Sequence, residues 1–145
     1  DNSKKQIRRK AIDCKLIEIP KISDPRGNLA VIEKDFLPYE IKRVYYLYDV
    51  PSDSFRGGHA HKEQLEFLIP LSGSFDVSID DGLSKEKVTL NKPNKGLLLP
   101  IGIWRELENF SSGTVCLVLN SGVFDEEDYI RDYQEFLKFK SDRQH

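Results

Sequence analysis

The chain has 145 residues, which is the size of one compact domain that can bury a core of its own. Its formal net charge is −2 and charges of both signs are interspersed, so no overall basic field predicts a nucleic-acid ligand. No apolar run is long enough to span a bilayer, and the first residues lack the basic-then-apolar pattern of a secretory signal.

The first ten residues are polar and basic, and we expect a flexible N-terminal segment over residues 1–14. A single domain is predicted over 15–140, followed by a short tail at 141–145. Short β-rich runs alternate within the domain with turn signals such as Asp24-Pro25-Arg26-Gly27-Asn28. The predicted strands are 14–19, 29–32, 41–50, 66–71, 74–79, 85–90, 97–99, 104–107 and 115–119.

The end of the chain has a helical pattern and not a strand-like one, because apolar and aromatic residues recur at three-to-four-residue spacing between positions 126 and 140. We therefore predict a helix over 126–140. About nine short strands without intervening helices indicate an all-β sandwich or barrel. Cys14 and Cys116 match no zinc-binding spacing and are expected to be reduced thiols, as in a cytoplasmic protein.

The alternating strand 41–50 places Arg43 and Tyr45 on one face, with Tyr46 and Tyr48 on the other. An unpaired buried guanidinium is costly, so Arg43 is expected to meet a ligand or an acidic partner. Tyr46 and Tyr48 are the residues of this strand that we expect in the core, whereas Tyr45 fits either the core or a site.

The segment Arg56-Gly57-Gly58-His59-Ala60-His61 contains two of the three histidines of the chain. If this segment is extended, His59 and His61 project to the same face and enter the same space. Such a pair suits either a metal site or acid–base chemistry on a bound ligand.

The spacing of His59, His61 and Glu66, followed much later by Arg105, resembles the two-part motif of the cupin superfamily. Cupins are small double-stranded β-helix, or jelly-roll, barrels. In metal-binding cupins a third histidine stands where this chain has Arg105, and arginine has no lone pair to offer a metal. We therefore predict metal-free use of the histidines, with a three-ligand site of His59, His61 and Glu66 as the alternative.

Five segments together resemble one cupin family, the dTDP-sugar 3,4-ketoisomerases of the WxcM-like group, from about residue 15 to residue 137. The segments are Asp24-Pro25-Arg26-Gly27-Asn28-Leu29, Ile41-Lys42-Arg43-Val44-Tyr45-Tyr46, Arg56-Gly57-Gly58-His59-Ala60-His61-Lys62, Ile103-Trp104-Arg105-Glu106-Leu107 and Asp128-Tyr129-Ile130-Arg131-Asp132-Tyr133.

This resemblance implies an enzyme without metal or cofactor that moves the keto group of dTDP-4-keto-6-deoxy-D-glucose from carbon 4 to carbon 3 through an enediol. The product would feed an aminotransferase that makes 3-amino-deoxysugars for surface glycans such as lipopolysaccharide or for glycosylated natural products. The resemblance also implies a homodimer in which N-terminal strands cross between subunits.

The chemistry of an α-hydroxy ketone needs one proton removed and one returned, so His59 and His61 are expected to divide the roles of base and acid. The family resemblance adds Tyr45 as a third catalytic group. Arginines that point inward suit the negative charges of both an enediolate and a pyrophosphate. Glu66 is expected to orient a histidine. Trp104 is expected either to pack in the core or to stack on the ligand. The predicted substrate-binding residues are Arg26, Arg43, Arg56, Glu66, Trp104 and Arg105.

Three other functions stay open on this evidence. One is a related nucleotide-sugar cupin such as a 3,5-epimerase, although the sequence shows no His/Asp pair at the spacing that an epimerase would need. A second is a non-catalytic carbohydrate-binding or regulatory cupin, which would not need two titrating histidines. The third is a metal-dependent cupin oxygenase or isomerase, which Arg105 disfavours.

Overall fold

The computed structural model describes residues 13–143, and most of the ordered elements in this range are β-strands. The strands are β1 (Lys15–Glu18), β2 (Lys21–Asp24), β3 (Gly27–Ala30), β4 (Arg43–Leu47), β5 (Arg56–His61), β6 (Glu66–Ser72), β7 (Phe75–Asp80), β8 (Lys85–Leu90), β9 (Lys95–Leu99), β10 (Trp104–Glu108), β11 (Val115–Asn120) and β12 (Tyr129–Ile130). A 3₁₀ turn (Glu126–Asp128) precedes β12, and helix α1 (Tyr133–Arg143) follows it.

Two five-stranded antiparallel sheets form the barrel, in the orders β1-β9-β6-β11-β4 and β12-β5-β10-β7-β8. Inward side chains from both sheets make the main core, which includes Leu68, Phe75, Val77, Leu97 and Ile103. In β7 the apolar residues alternate with polar ones, so one face packs inward while the other meets solvent. The all-β jelly-roll barrel with one C-terminal helix confirms the predicted fold class.

Strand β4 lies at the edge of its sheet, and its two faces meet different surroundings. Arg43 and Tyr45 are half-buried and point into the barrel. Tyr46 and Tyr48 are 60% and 61% exposed, so the prediction that they belong to the core is wrong. Nothing among residues 13–143 covers the outer face of this edge strand.

The predicted helix over 126–140 is wrong in its first half. Tyr129 and Ile130 pair instead with His61 and Ala60 as a short strand. The Asp125 side chain accepts a hydrogen bond from the Glu127 amide and starts the 3₁₀ turn before that strand. Backbone pairing with β5 therefore overrides the helical spacing of the side chains, and the α-helix begins only at Tyr133.

Strand β2 is a further element that the sequence did not predict. It pairs only with β3, and the hairpin that the two strands form is exposed. Nearly all of the predicted flexible segment 1–14 lies outside the described residues, as does the end of the predicted tail 141–145. None of the helices within residues 13–143 is long and apolar enough to cross a bilayer.

Strand β5 carries the two histidines and lies between β12 and β10. Arg105 of β10 stands opposite His59, and the register shifts between Arg105 and Glu106. Gly57 has a φ of 88°, and a Cβ atom there would lie 3.0 Å from the Arg105 carbonyl oxygen. A glycine is needed at this position because the two backbones approach so closely in a left-handed conformation.

Candidate active site

A cavity of about 470 Å³ opens between the two sheets. Strands of both sheets supply its walls, and the segment after β11 supplies part of its rim. The lining residues of most chemical interest are Arg43, Tyr45, Arg56, His59, Glu66, Arg105, Tyr129 and Arg131. The volume and the mixture of charged and aromatic groups suit a polar small molecule that binds through a few fixed contacts.

Glu66 is the centre of a buried network at the base of this cavity. Its carboxylate accepts hydrogen bonds from Arg105 Nη1 at 2.6 Å, Tyr45 Oη at 2.6 Å and Asn120 Nδ2 at 2.9 Å. Burial by itself would raise the pKa of Glu66, but the His61, Arg105 and Tyr45 interactions outweigh it and hold the pKa below its usual range. Glu66 is therefore an ionised anchor that fixes its neighbours.

Tyr45 is held by this anchor. Burial, followed by the charge of Glu66 and the hydrogen bond to it, raises the pKa of the Tyr45 phenol. The phenol therefore keeps its proton and donates a hydrogen bond to Glu66, while Tyr45 also lines the cavity.

His61 is fully buried, and both of its ring nitrogens face carboxylates. Nδ1 lies 2.7 Å from Asp128 Oδ2, whereas Nε2 lies 3.5 Å from Glu66 Oε2 and has no hydrogen-bond partner among the described residues. Asp128 also accepts the Glu63 amide, and the His61 and Glu63 interactions overcome burial to lower the pKa of Asp128. The structure thus brings together His61 and Asp128, a His/Asp pair that lies 67 residues apart in the sequence and that sequence spacing did not reveal.

His59 lines the cavity, and its ring lies 4.9 Å from that of His61 and 5.0 Å from that of Tyr129. Burial, and then the charge of Arg105 and the neighbouring His61 ring, lower the pKa of His59 to about 3. The imidazole is therefore neutral at physiological pH. Its Nε2 is buried without a hydrogen-bond partner among the described residues, as a base waiting for a substrate proton would be.

Arg105, like His59, has a buried nitrogen without a hydrogen-bond partner in the described part of the chain. Its Nη1 binds Glu66 and its Nε donates to the Ile103 carbonyl oxygen, but Nη2 finds no partner within residues 13–143. Arg105 is 1% exposed and lines the same cavity as His59. An unpaired cationic donor beside an unpaired basic nitrogen matches a ligand that loses a proton and becomes an oxyanion.

Among the described residues, the cavity lining contains three arginines besides Arg105. These are Arg43, Arg56 and Arg131, and Arg43 Nη2 contacts Gln64 Oε1 at 3.1 Å and Tyr129 Oη at 3.4 Å. Exposed Phe55 and Phe124 lie on the same lining. This part of the cavity can hold a doubly charged, flat-ringed group.

Two predicted substrate-binding residues lie elsewhere in the chain. Trp104 is buried on the other side of β10 from Arg105, and its ring packs 5.4 Å from Tyr133 and 5.7 Å from Phe136. Arg26 lies in the β2–β3 hairpin, where its side chain is 90% exposed and paired with Asp24 at 2.8 Å. Within one chain, neither residue is brought to the cavity that contains His59.

The residues present do not fit a divalent metal ion. Ligand atoms of His59, His61 and Glu66 lie within 4.8 Å of one another, as a cupin metal site would require. However, Arg105 Nη1 already occupies Glu66 Oε1 at 2.6 Å and brings a permanent positive charge into the ligand set. The Arg105 guanidinium therefore competes with a metal ion for the Glu66 carboxylate.

Sequence reasoning missed Asp128, Asn120, Gln64, Tyr129 and Arg131, all of which belong to the network or the lining. Tyr129 and Arg131 stand in the tail segment that carried part of the family resemblance, which was the available signal. The predicted helix at 126–140 concealed it, because a surface helix gave no reason to place these side chains beside His59.

The family described as FdtA, WxcM-like, C-terminal, matches residues 12–141 of the chain. The chain is also 44% identical over 129 residues to a TDP-4-oxo-6-deoxy-alpha-D-glucose-3,4-oxoisomerase from Aneurinibacillus thermoaerophilus. That match covers 88% of this chain and 93% of the relative.

Solved structures of 3,4-ketoisomerases are also similar to this chain. A 3,4-ketoisomerase from Helicobacter canadensis has 43% identity and a TM-score of 0.87, with 89% of this chain and 98% of that chain covered. The sugar 3,4-ketoisomerase QdtA from Thermoanaerobacterium thermosaccharolyticum, in complex with TDP, has 37% identity and a TM-score of 0.89, with 92% and 98% covered. A histidine-to-asparagine mutant of QdtA, with a TM-score of 0.88, is in complex with TDP-4-keto-6-deoxyglucose. A dTDP-4-dehydrorhamnose 3,5-epimerase from Bacillus anthracis, at 18% identity and a TM-score of 0.72, shares the fold alone.

Proposed function

The chain belongs to the FdtA, WxcM-like family, and from this premise we propose that it is a TDP-4-keto-6-deoxyglucose 3,4-ketoisomerase. The observation that carries the proposal is the pairing of two unpartnered groups in one cavity, His59 Nε2 and Arg105 Nη2. A base and an oxyanion-stabilising donor are what the 3,4-shift of a ketone requires.

The first half of the reaction is assigned to His59 and Arg105. His59 Nε2 takes the proton from carbon 3, the electrons of that C–H bond form a double bond to carbon 4, and the carbonyl electrons move to oxygen 4. Arg105 Nη2 then donates to the enediolate. Because Glu66 holds the guanidinium in place, this donor needs little reorganisation as the charge develops.

The nucleotide is placed toward the cavity rim. Arg43 and Arg56 are cationic groups for the pyrophosphate, and Arg131 lies on the same lining. Exposed Phe55 and Phe124 offer flat apolar faces for the thymine ring. Local rather than overall charge attracts the diphosphate, since the whole chain is nearly neutral.

We further propose a homodimer in which the β2–β3 hairpin crosses to the neighbouring subunit. Strand β1, the first N-terminal strand, pairs with β9 of its own chain. The hairpin contacts neither sheet through strand pairing, and its Ile22 and Leu29 are 62% and 55% exposed. Burying these residues on a second copy would bring Arg26, at the tip of the hairpin, toward the partner's cavity.

Three further expectations accompany this function. The reaction needs no metal, because Arg105 provides the positive charge. The enzyme works in the cytoplasm, in keeping with unpaired Cys14 and Cys116. The 3-keto product is a substrate for a transaminase that makes 3-amino-deoxysugars, which are building blocks of lipopolysaccharide and other glycans.

Proton NMR of the reaction in D₂O tests the function against a 3,5-epimerase. A ketoisomerase places one deuterium on carbon 4 of the product and leaves the hydrogen on carbon 5 in place. An epimerase exchanges the hydrogens on carbons 3 and 5 and keeps the ketone at carbon 4. Deuterium on carbon 5 with an unmoved ketone would overturn the proposal.

A further inference from the structure

The proposed reaction needs a second proton transfer, to carbon 4, and His61 is poorly placed to make it. His61 was expected to share catalysis with His59. In the structure it has no exposed surface, lies behind His59 and Tyr129, and is absent from the described cavity lining. Its Nδ1 is bound to Asp128, and its Nε2 has no hydrogen-bond partner among the described residues but lies 3.5 Å from Glu66 Oε2. Because His61 does not line the cavity, we assign it the role of a positioning residue.

Two tyrosines on the cavity lining, Tyr45 and Tyr129, each have an O–H proton that could be delivered to carbon 4. Tyr45 already donates to Glu66 at 2.6 Å, and the charge of Glu66 disfavours a second negative charge beside it. Tyr45 is therefore a poor donor to a carbanion-like centre.

Tyr129 has the opposite surroundings. Its ring contacts both histidine rings, at 5.0 Å from His59 and 4.6 Å from His61, because β12 pairs with β5. Its hydroxyl lies 3.4 Å from Arg43 Nη2, and the Arg131 guanidinium lies 4.3 Å from the ring centroid. Arg131 is itself paired with Glu126 at 2.6 Å, so Arg43 is the cation that contacts the hydroxyl oxygen and can stabilise negative charge there when the proton leaves.

We propose that Tyr129 is the catalytic acid that delivers the proton to carbon 4, an inference that rests on the proposed ketoisomerase function. After His59 has taken the carbon 3 proton, the hydroxyl proton of oxygen 3 moves to oxygen 4. The electrons on oxygen 3 form the new carbonyl, and the double-bond electrons take the Tyr129 proton at carbon 4. The His59 imidazolium then returns a proton to the Tyr129 phenolate through solvent, which restores the enzyme.

Separate measurement of exchange and turnover tests this role. With TDP-4-keto-6-deoxyglucose in D₂O, Tyr129→Phe should still exchange the hydrogen on carbon 3 for deuterium, because His59 is unchanged. Formation of the 3-keto product should fall by at least about 100-fold. Tyr133→Phe is the matched control, since it removes a tyrosine hydroxyl bound to Asp80 outside the cavity and should keep normal turnover.

Normal turnover in Tyr129→Phe would overturn the proposal and leave His59 to carry the proton from carbon 3 to carbon 4 by itself. Loss of both exchange and turnover would overturn it too, since Tyr129 would then serve the first step. An inactive wild type would instead reject the ketoisomerase function.

A second variant covers the case in which Tyr129→Phe does not fold. Placing 3,5-difluorotyrosine at position 129 keeps the shape of the side chain and makes the phenol more acidic. The alkaline limb of kcat should then move to lower pH, whereas an unmoved limb would contradict the proposal.

Discussion

Arg105 Nη1 donates to Glu66 Oε1 across 2.6 Å, and the two side chains are only 1% and 3% exposed. This ion pair engages the carboxylate that, with His59 and His61, brings three possible metal-ligand atoms within 4.8 Å of one another. In the proposed reaction, the cation that polarises the substrate is therefore part of the protein.

The first prediction follows from this pair. Exhaustive chelation should leave kcat and KM unchanged, because Arg105 supplies the positive charge without a dissociable ion. Metal analysis of the active protein should find less than stoichiometric metal. Activity that disappears with chelator and returns only on adding a divalent ion would contradict this.

The two histidines should respond differently to the same substitution. His59→Asn should fold normally and lose at least about 100-fold in kcat, because it removes the base. His61→Asn removes the ring nitrogen next to Asp128, and a buried group left unpaired should lower the free energy of unfolding by about 1–3 kcal/mol. Urea unfolding and steady-state kinetics on both variants separate the two roles. Equal stability losses in the two variants would show that the assignment is wrong.

The lowered pKa of His59 predicts an unusual pH profile. A histidine with an ordinary pKa of about 6.5 would lose its function as a base below that pH. Since His59 has a pKa of about 3, it stays neutral and competent, and kcat/KM should show no acid limb from this group between pH 7 and 5. A limb near pH 6.5 that belongs to the free enzyme would contradict the account.

The lowered pKa of His59 also predicts how the free energy of unfolding changes with pH. Below about pH 6.5 the unfolded chain protonates this histidine while the native state does not, so the free energy of unfolding should fall as the pH is lowered. It should fall less steeply in His59→Asn, which lacks the titrating group. Denaturant titrations of both proteins at pH 7 and pH 5 measure the difference.

Mixed dimers test whether Arg26 completes the partner's cavity. Arg26→Ala and His59→Asn should each have low activity alone. When they are co-expressed, a heterodimer contains one intact site, so about a quarter of all sites should be active. No recovery in a heterodimer isolated through two different affinity tags would mean that Arg26 does not complete the partner's cavity, and a monomer by light scattering would reject the exchanged hairpin.

The sequence could predict the barrel and the middle of the site because local patterns encode them. Alternation along the strand 41–50 placed Arg43 and Tyr45 on one face, and the motif spacing placed His59 near Glu66 and Arg105. Side-chain alternation also explains why Trp104 points away from the cavity, since it precedes Arg105 in a strand.

Other features depend on contacts between distant parts of the chain. The partner of His61, Asp128, is 67 residues away, and the helical spacing of the tail gave no sign that Tyr129 would pair with β5. The exposure of Tyr46 and Tyr48 depends on β4 being an edge strand, which sheet order decides and local sequence does not.

Carbon-13 NMR with substrate labelled at carbon 4 tests the central claim most directly. The purified protein, given TDP-4-keto-6-deoxyglucose, should convert the labelled carbonyl signal into that of a hydroxyl-bearing carbon, while the His59→Asn variant should leave the carbonyl signal unchanged. A label that stays a carbonyl with the wild-type protein, or that converts equally fast with His59→Asn, would contradict the account.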